Sequence, residues 1–254
     1  MTRRTMLGAA AFTALAQEQK ELNLFLLAGQ SNMAGRGEVE AQDREPIPDV
    51  LALNKELAWV PAVDPIHFDK PIAGVGLARG FARTLRKLSP GAKIGLIPAA
   101  LGGSSLDEWK DGGALFTSAV KRAKAAQAAG TLRGILWHQG EADSNDEAHA
   151  RSYSARWWAM MAALRAELGA GDLPVVVGEL GEFLVGRTDG KQPFASVVNE
   201  QLALIPLRGR RAAFVSAAGL AHKGDDLHFN SASLREFGRR YALGYCSLDA
   251  SWGG

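Results

Sequence analysis

Leu22 to Gly37 reads LNLFLLAGQSNMAGRG, and its continuous apolar run, Leu24 to Ala28, stops at Gly29. Five apolar residues bounded by glycine predict a short strand buried on both faces, as in parallel sheets. In an open α/β sheet, ligands bind just beyond the carboxyl ends of strands. Ser31, two residues past the glycine, therefore stands where a nucleophile is placed. Asn32 adds a polar side chain, and Gly35 and Gly37 add backbone that can turn tightly. Serine after a strand is also ordinary turn chemistry. The far end of the chain supplies the second signal: in Asp225-Asp226-Leu227-His228 a carboxylate precedes a histidine by three residues.

Between these ends the pattern alternates. Leu77, Phe81, Leu85 and Leu88 form a helical stripe closed by Ser89-Pro90-Gly91, and the next strand falls within Lys93 to Ala100. Leu101-Gly102-Gly103-Ser104-Ser105 reads as a turn and Leu115 to Ala129 as an alanine-rich helix. Gly134 to Trp137 is a third strand, running into His138-Gln139-Gly140-Glu141. Ser144 and Glu147 suggest a capping box for a helix whose stripe is Tyr153, Trp157, Met161, Leu164 and Leu168. Pro174 to Val177 and Ala212 to Val215 complete five strands, with a weaker helix over about 194–205 between them. Ser233 and Glu236 are expected to cap a last helix that turns Leu234, Phe237 and Tyr241 inward. Alternating strands and helices predict a parallel sheet with helices on both faces. Glu38 to Lys70, with Pro46, Pro48, Pro61 and Pro65, breaks the alternation as a long surface excursion that includes Trp59, His67 and Phe68.

Residues 1–16, MTRRTMLGAAAFTALA, place two arginines before an uncharged run ending in Ala14-Leu15-Ala16. That is the pattern of an export signal cleaved after Ala16, loosely of the twin-arginine type, and the run is too short to span a bilayer. Residues 17–254 are then a single domain, exported to the periplasm or outside the cell. The formal charge of the 254-residue chain is +2, and without Arg3 and Arg4 acidic and basic side chains balance. Nucleic acid and anionic membranes are thereby disfavoured as partners. Cys246 is the only cysteine, which excludes an intramolecular disulfide.

The residues following the strands are Ser31, Gly102-Gly103, His138-Gln139-Gly140-Glu141 and Glu179, with Asp225 and His228 last. They emerge at one sheet edge and can converge there. Acyl transfer needs a nucleophile, a base, an orienting acid and donors for an oxyanion. Ser31, His228 and Asp225 fit the first three roles. The N–H groups of Ser31 and Gly103, with the Gln139 amide, fit the fourth.

Gly29-Gln30-Ser31-Asn32-Met33, Gly102-Gly103-Ser104-Ser105, His138-Gln139-Gly140-Glu141 and Asp225-x-x-His228 resemble the ordered blocks of SGNH hydrolases. The similarity is greater to their carbohydrate-esterase branch, with its sialate O-acetylesterases and family-six acetylxylan esterases. Val177 to Gly181 and Leu227 to Asn230 also fit that branch. The resemblance spans Leu22 to Tyr245. It implies a flavodoxin-like three-layer α/β/α sandwich around five parallel strands. It also implies an esterase needing neither metal nor cofactor, with Ser31 as nucleophile, His228 as base, and Ser31, Gly103 and Gln139 as oxyanion donors. Gln30 stands where the wider superfamily has aspartate, and Gln139 where it has asparagine.

Some assignments stay open at this level. Asp226 and Glu141 compete with Asp225 as the orienting acid, and Glu141 otherwise serves beside the site. Trp109 either packs or touches a sugar ring. His138, Glu141, Asp143 and His149 lack zinc-type spacing, and Gly102-Gly103 lacks the rest of a phosphate loop. The expected substrate is an acetylated oligo- or polysaccharide. Acetylxylan is favoured over an O-acetyl sialate, for which Arg36 and Arg187 are candidate carboxylate partners. A non-catalytic carbohydrate binder on the same scaffold is the rival.

Overall fold

The computed structural model describes residues 22–209 and 211–252. The expected export segment, residues 1–16, lies outside them. Seven strands form one sheet in the order β3-β2-β4-β1-β5-β6-β7. They are β1 (Leu22–Gly29), β2 (Val50–Leu53), β3 (Trp59–Pro61), β4 (Lys93–Pro98), β5 (Gly130–His138), β6 (Val175–Gly178) and β7 (Ala212–Val215). All neighbours run parallel except β3, which is antiparallel to β2.

The five expected strands are present, and the expectation of five in all is corrected to seven. The added pair comes from the excursion after β1. Val50 to Leu53 is too short to show a period between Asp49 and Asn54, and Pro61 disguises a strand that prolines tolerate only at a sheet edge.

The central strand explains the layering. Leu24, Leu26 and Ala28 enter one core, while Phe25 and Leu27 enter the other. Each fully buried Leu or Phe contributes about 1.5–3 kcal/mol. The first core is closed by helices over Ala114–Ala126, Tyr153–Glu167 and Ala195–Arg208, the second by Ala78–Leu88 and Ser231–Leu248. The caps differ from expectation. Asp146 accepts from His149 N–H at 2.8 Å, and Asn230 accepts from Ser233 N–H at 2.8 Å. Ser144 instead donates to Glu141 O, and the Ser233 hydroxyl accepts from Ala221 N–H.

Two glycines set the site's frame. Gly29 has φ +127°, and a Cβ there would lie 2.0 Å from His138 O, so β1 closes against β5 only with glycine at this point. At Gly238 a Cβ would lie 2.1 Å from Leu77 O, so helix Ser231–Leu248 docks closely on Ala78–Leu88. That docking fixes the chain leading into the helix, and His228 is on it.

Candidate active site

Beyond Gly29 the chain turns into a short helix, Ser31–Ala34, whose first residue is the candidate nucleophile. β1 lies between β4 and β5, the point where successive connections leave to opposite sides of the sheet. Ser31 Oγ is 3.1 Å from His228 Nε2, and His228 Nδ1 is 2.7 Å from Asp225 Oδ2. A carboxylate only accepts, so Nδ1 carries the proton and Nε2 is free to accept from Ser31. Burial pushes the Asp225 carboxyl up. The His228 N–H, the His228 ring and the Leu227 N–H outweigh it and hold the group down at about 2.

Sequence left three acids open for this position, and the structure separates them. Asp226 turns away to His222, 3.3 Å from its Nε2. Glu141 is buried, with Oε1 accepting from Asn32 Nδ2 at 2.6 Å and lying 3.4 Å from His138 Nε2. Burial raises the Glu141 carboxyl, but His138 and Asn32 prevail and lower it. Only Asp225 reaches His228 among the described residues.

Asn32 ties the two ends of the chain together. Its Nδ2 also donates to Leu227 O at 3.2 Å, and its Oδ1 accepts from Phe229 N–H at 3.1 Å. His228 is thus bracketed on both sides by bonds to the residue after Ser31. Asn32→Ala is expected to cut turnover about a hundredfold, the scale of loss when a reacting group shifts by about 1 Å. The check is kcat on a small acetyl ester, with Ser31 and Asp225 left intact. His222, which sequence reading passed over, shapes the same loop. Its Nδ1 accepts from Gly224 N–H and Asp226 N–H, both at 3.1 Å.

A cavity of about 340 Å³ opens above Ser31 and His228, with Gln30, Gly103, Glu141 and Lys70 among its walls. The N–H groups of Ser31 and Gly103 donate to no described group, whereas Gly102 N–H is committed to Asp69 at 2.9 Å. Arg36 also lines the cavity, but its guanidinium is spent on Asp69 at 2.6 Å and on Gly35 O at 2.7 Å. Arg187 is held by Asp189 at 2.9 Å and Asp226 O at 2.6 Å. Lys70, at the cavity wall beside Gly103, carries no ion pair among the described residues. Lys70 and Gln192 reach the cavity from irregular loops and Asn145 from the end of a single 3₁₀ turn, where no sequence period announces them.

The expectation for Gln139 is corrected, and the open places of Trp109 and Glu179 are resolved. Gln139 is fully buried, does not line the cavity and has its amide in use. Its Nε2 donates to Asp143 Oδ2 at 2.6 Å, with Ser104 O and Gln30 Oε1 at 3.1 and 3.2 Å. Its Oε1 accepts from Tyr153 at 2.8 Å. The extra methylene relative to asparagine carries the amide into this network, where Arg156 also pairs with Asp143 at 2.7 Å. Gln139→Ala is therefore expected to act on stability. It strands buried partners at about 1–3 kcal/mol each, visible as a lowered denaturation midpoint. Trp109 is fully buried against Trp137, with Nε1 donating to Ser104 Oγ, and packs without reaching a sugar. Glu179 accepts from Ser216 Oγ and Ala217 N–H, binding the end of β6 to the loop after β7; it is absent from the cavity wall.

A family model described as carbohydrate esterase, sialic acid-specific acetylesterase, matches residues 21–247. A protein of Arabidopsis thaliana named as a probable carbohydrate esterase is 31% identical over 244 residues, covering 88% of this chain and 90% of the plant protein. The crystal structure of an Arabidopsis thaliana protein superposes with a TM-score of 0.80 at 29% identity, over 89% of this chain and 98% of that one. NanS gives 0.76 at 18% identity, over 92% and 99%. A carbohydrate acetylesterase from Xanthomonas citri gives 0.69 at 20%, over 90% of this chain and 57% of its own. At the last two identities the likeness is one of fold.

Proposed function

The chain belongs to the carbohydrate esterase family of sialic acid-specific acetylesterases, and from that premise we propose that Ser31, His228 and Asp225 perform its acetyl ester hydrolysis. The observation that carries the assignment is the unbroken line from Ser31 Oγ through the His228 ring to the Asp225 carboxylate. Ser31 Oγ attacks the acetyl carbonyl while its proton passes to His228 Nε2. The tetrahedral intermediate collapses as His228 returns that proton to the departing sugar oxygen, leaving acetate esterified to Ser31. Water then attacks, giving its proton to the same nitrogen, and acetate leaves with Ser31 restored. The N–H groups of Ser31 and Gly103, which donate to no described group, are left to meet the developing oxygen charge. A binder without catalysis has no use for this line of groups.

For the sugar we propose a neutral acetylated backbone of the xylan type. Arg36 and Arg187, the two arginines suited to a sialate carboxylate, are both neutralised by aspartates. The second reading, an O-acetyl sialate, is favoured by the family description and by Lys70 at the cavity wall, which makes no ion pair among the described residues. Acetate release from acetylated xylan and from an O-acetylated sialic acid, with Lys70→Ala in parallel, decides between them. Preference for xylan, insensitive to Lys70, supports the first. Preference for sialate that falls with Lys70→Ala overturns it. Export is proposed on residues 1–16 alone: a secreted product beginning at Gln17 supports it, and one retaining Met1 contradicts it.

A further inference from the structure

Beside the catalytic cavity lies a second one, of about 540 Å³, that no step of the hydrolysis uses. Lys70 borders both, Ile72 faces the first, and Pro71 and Ala73 line the second, so the chain over 70–73 is the partition between them. Both lie at one edge of the sheet. Ser31 follows β1, and the second cavity is bordered by Asn54, the residue after β2, which runs the same way two places along. Phe68 supplies an aromatic surface there. It is 44% exposed, and the Arg122 guanidinium lies over its ring, 4.8 Å from the centre. That guanidinium is buried and fixed, donating at 2.7 Å to Pro98 O and to Leu53 O, the last residues of β4 and β2. Asn54 adds a donor. Its Oδ1 accepts from Ala58 N–H at 2.8 Å, which fixes the oxygen end of the amide, and its Nδ2 donates to no described group. The wall holds little charge. Asp69 is spent on Arg36, and burial brings the His67 ring down to about 4, hence neutral near pH 7. An aromatic surface with one placed amide donor suits a neutral pyranose, whose C–H face packs on the ring while its hydroxyls meet the polar group.

We propose that this cavity is an accessory sugar subsite, where Phe68 packs on a neutral pyranose of the same chain whose acetylated unit stands at Ser31, and Asn54 Nδ2 donates to one of its hydroxyls. The shared wall fixes the occupant: a sugar seated against Lys70 from this side neighbours the one seated against it from the other. Resting on the neutral-backbone reading above, the subsite makes the protein select a chain over a single sugar. It also gives the proline-rich excursion, which contributes Asn54, Pro61, Pro65 and Phe68 to the wall, a part in substrate recognition.

The deciding variant is Phe68→Leu, which stays apolar and loses the flat ring, with Phe68→Trp as the variant that keeps one. Asn54→Asp keeps an oxygen for Ala58 N–H and loses the donor. The substrates are an acetylated xylo-oligosaccharide, an acetylated methyl xyloside too small to reach both cavities, and p-nitrophenyl acetate. The wild type should prefer the oligosaccharide to the xyloside in kcat/KM. Phe68→Leu should lower that preference about tenfold, mainly through KM, and Phe68→Trp should keep it. Asn54→Asp should lower it several-fold, about the worth of one hydrogen bond. Calorimetric binding of the oligosaccharide to Ser31→Ala should weaken by the same factor when Phe68→Leu is added. A preference unchanged in Phe68→Leu, or a fall equal on all three substrates, overturns the subsite while the neutral-backbone reading stands. Acetate release from an O-acetyl sialate with none from either xylose compound overturns that reading, and the subsite with it.

Discussion

Ser31→Ala is expected to lower turnover by up to about a millionfold, the scale of loss when a nucleophile is removed from a triad that works as a unit. The expectation follows from how little else the hydroxyl does. Ser31 is 5% exposed, opens on the cavity, and its Oγ meets only His228 Nε2 among the described side chains. Removing it strands no other buried partner, so the variant should melt with the wild type and still bind the acetylated sugar. Stopped assays of acetate release with purified protein, paired with thermal melts, check both halves. Residual activity at the level of His228→Ala would show that the two side chains act in one step and do not contribute separately.

Asp225→Asn is expected to be the next most damaging change, at about ten-thousandfold in kcat. Asparagine can offer its NH₂ to His228 Nδ1, which would place the ring proton on Nε2 and leave Ser31 facing a donor. Glu141→Gln should cost far less turnover, since Glu141 supports the site through Asn32 and does not touch His228. The pH behaviour has a defined sign. With its carboxyl held at about 2, Asp225 stays ionised at every pH above about 4. Its native contacts therefore add stability above the ordinary aspartate value, and that share is lost as pH falls from about 4 through about 2. Any acid limb in activity above pH 4 belongs to a different group. Denaturation midpoints of the wild type and Asp225→Asn that converge as pH falls from about 4 through about 2 bear this out.

Much of this site was legible because the chemistry sits at strand ends. Buried strands announce themselves as apolar runs, and Gly29, Pro98 and His138 mark where three of them stop. Ser31 was found in that way, Asp225 and His228 from a carboxylate three residues before a histidine, and the structure brings the three within hydrogen-bonding reach of one another. What sequence could not give was the direction of side chains that leave the same edge. Gln139 and Gln30 are both amides at strand ends, and only their partners reveal that one is buried in a network and the other opens on the cavity. Trp109 is similar: an indole near a glycine turn reads equally as platform or packing until Trp137 is seen against it. Strands β2 and β3 were hidden because four residues and three residues are too short for a period to show among prolines.

The most direct measurement is the identity of the acetylated residue. Full-length protein is mixed with p-nitrophenyl acetate, quenched in acid at short times and digested for mass spectrometry. One acetyl group is expected on the peptide containing Ser31, formed in the wild type and absent in Ser31→Ala. An acetyl group on another residue, or undiminished acetate release by Ser31→Ala, would contradict it.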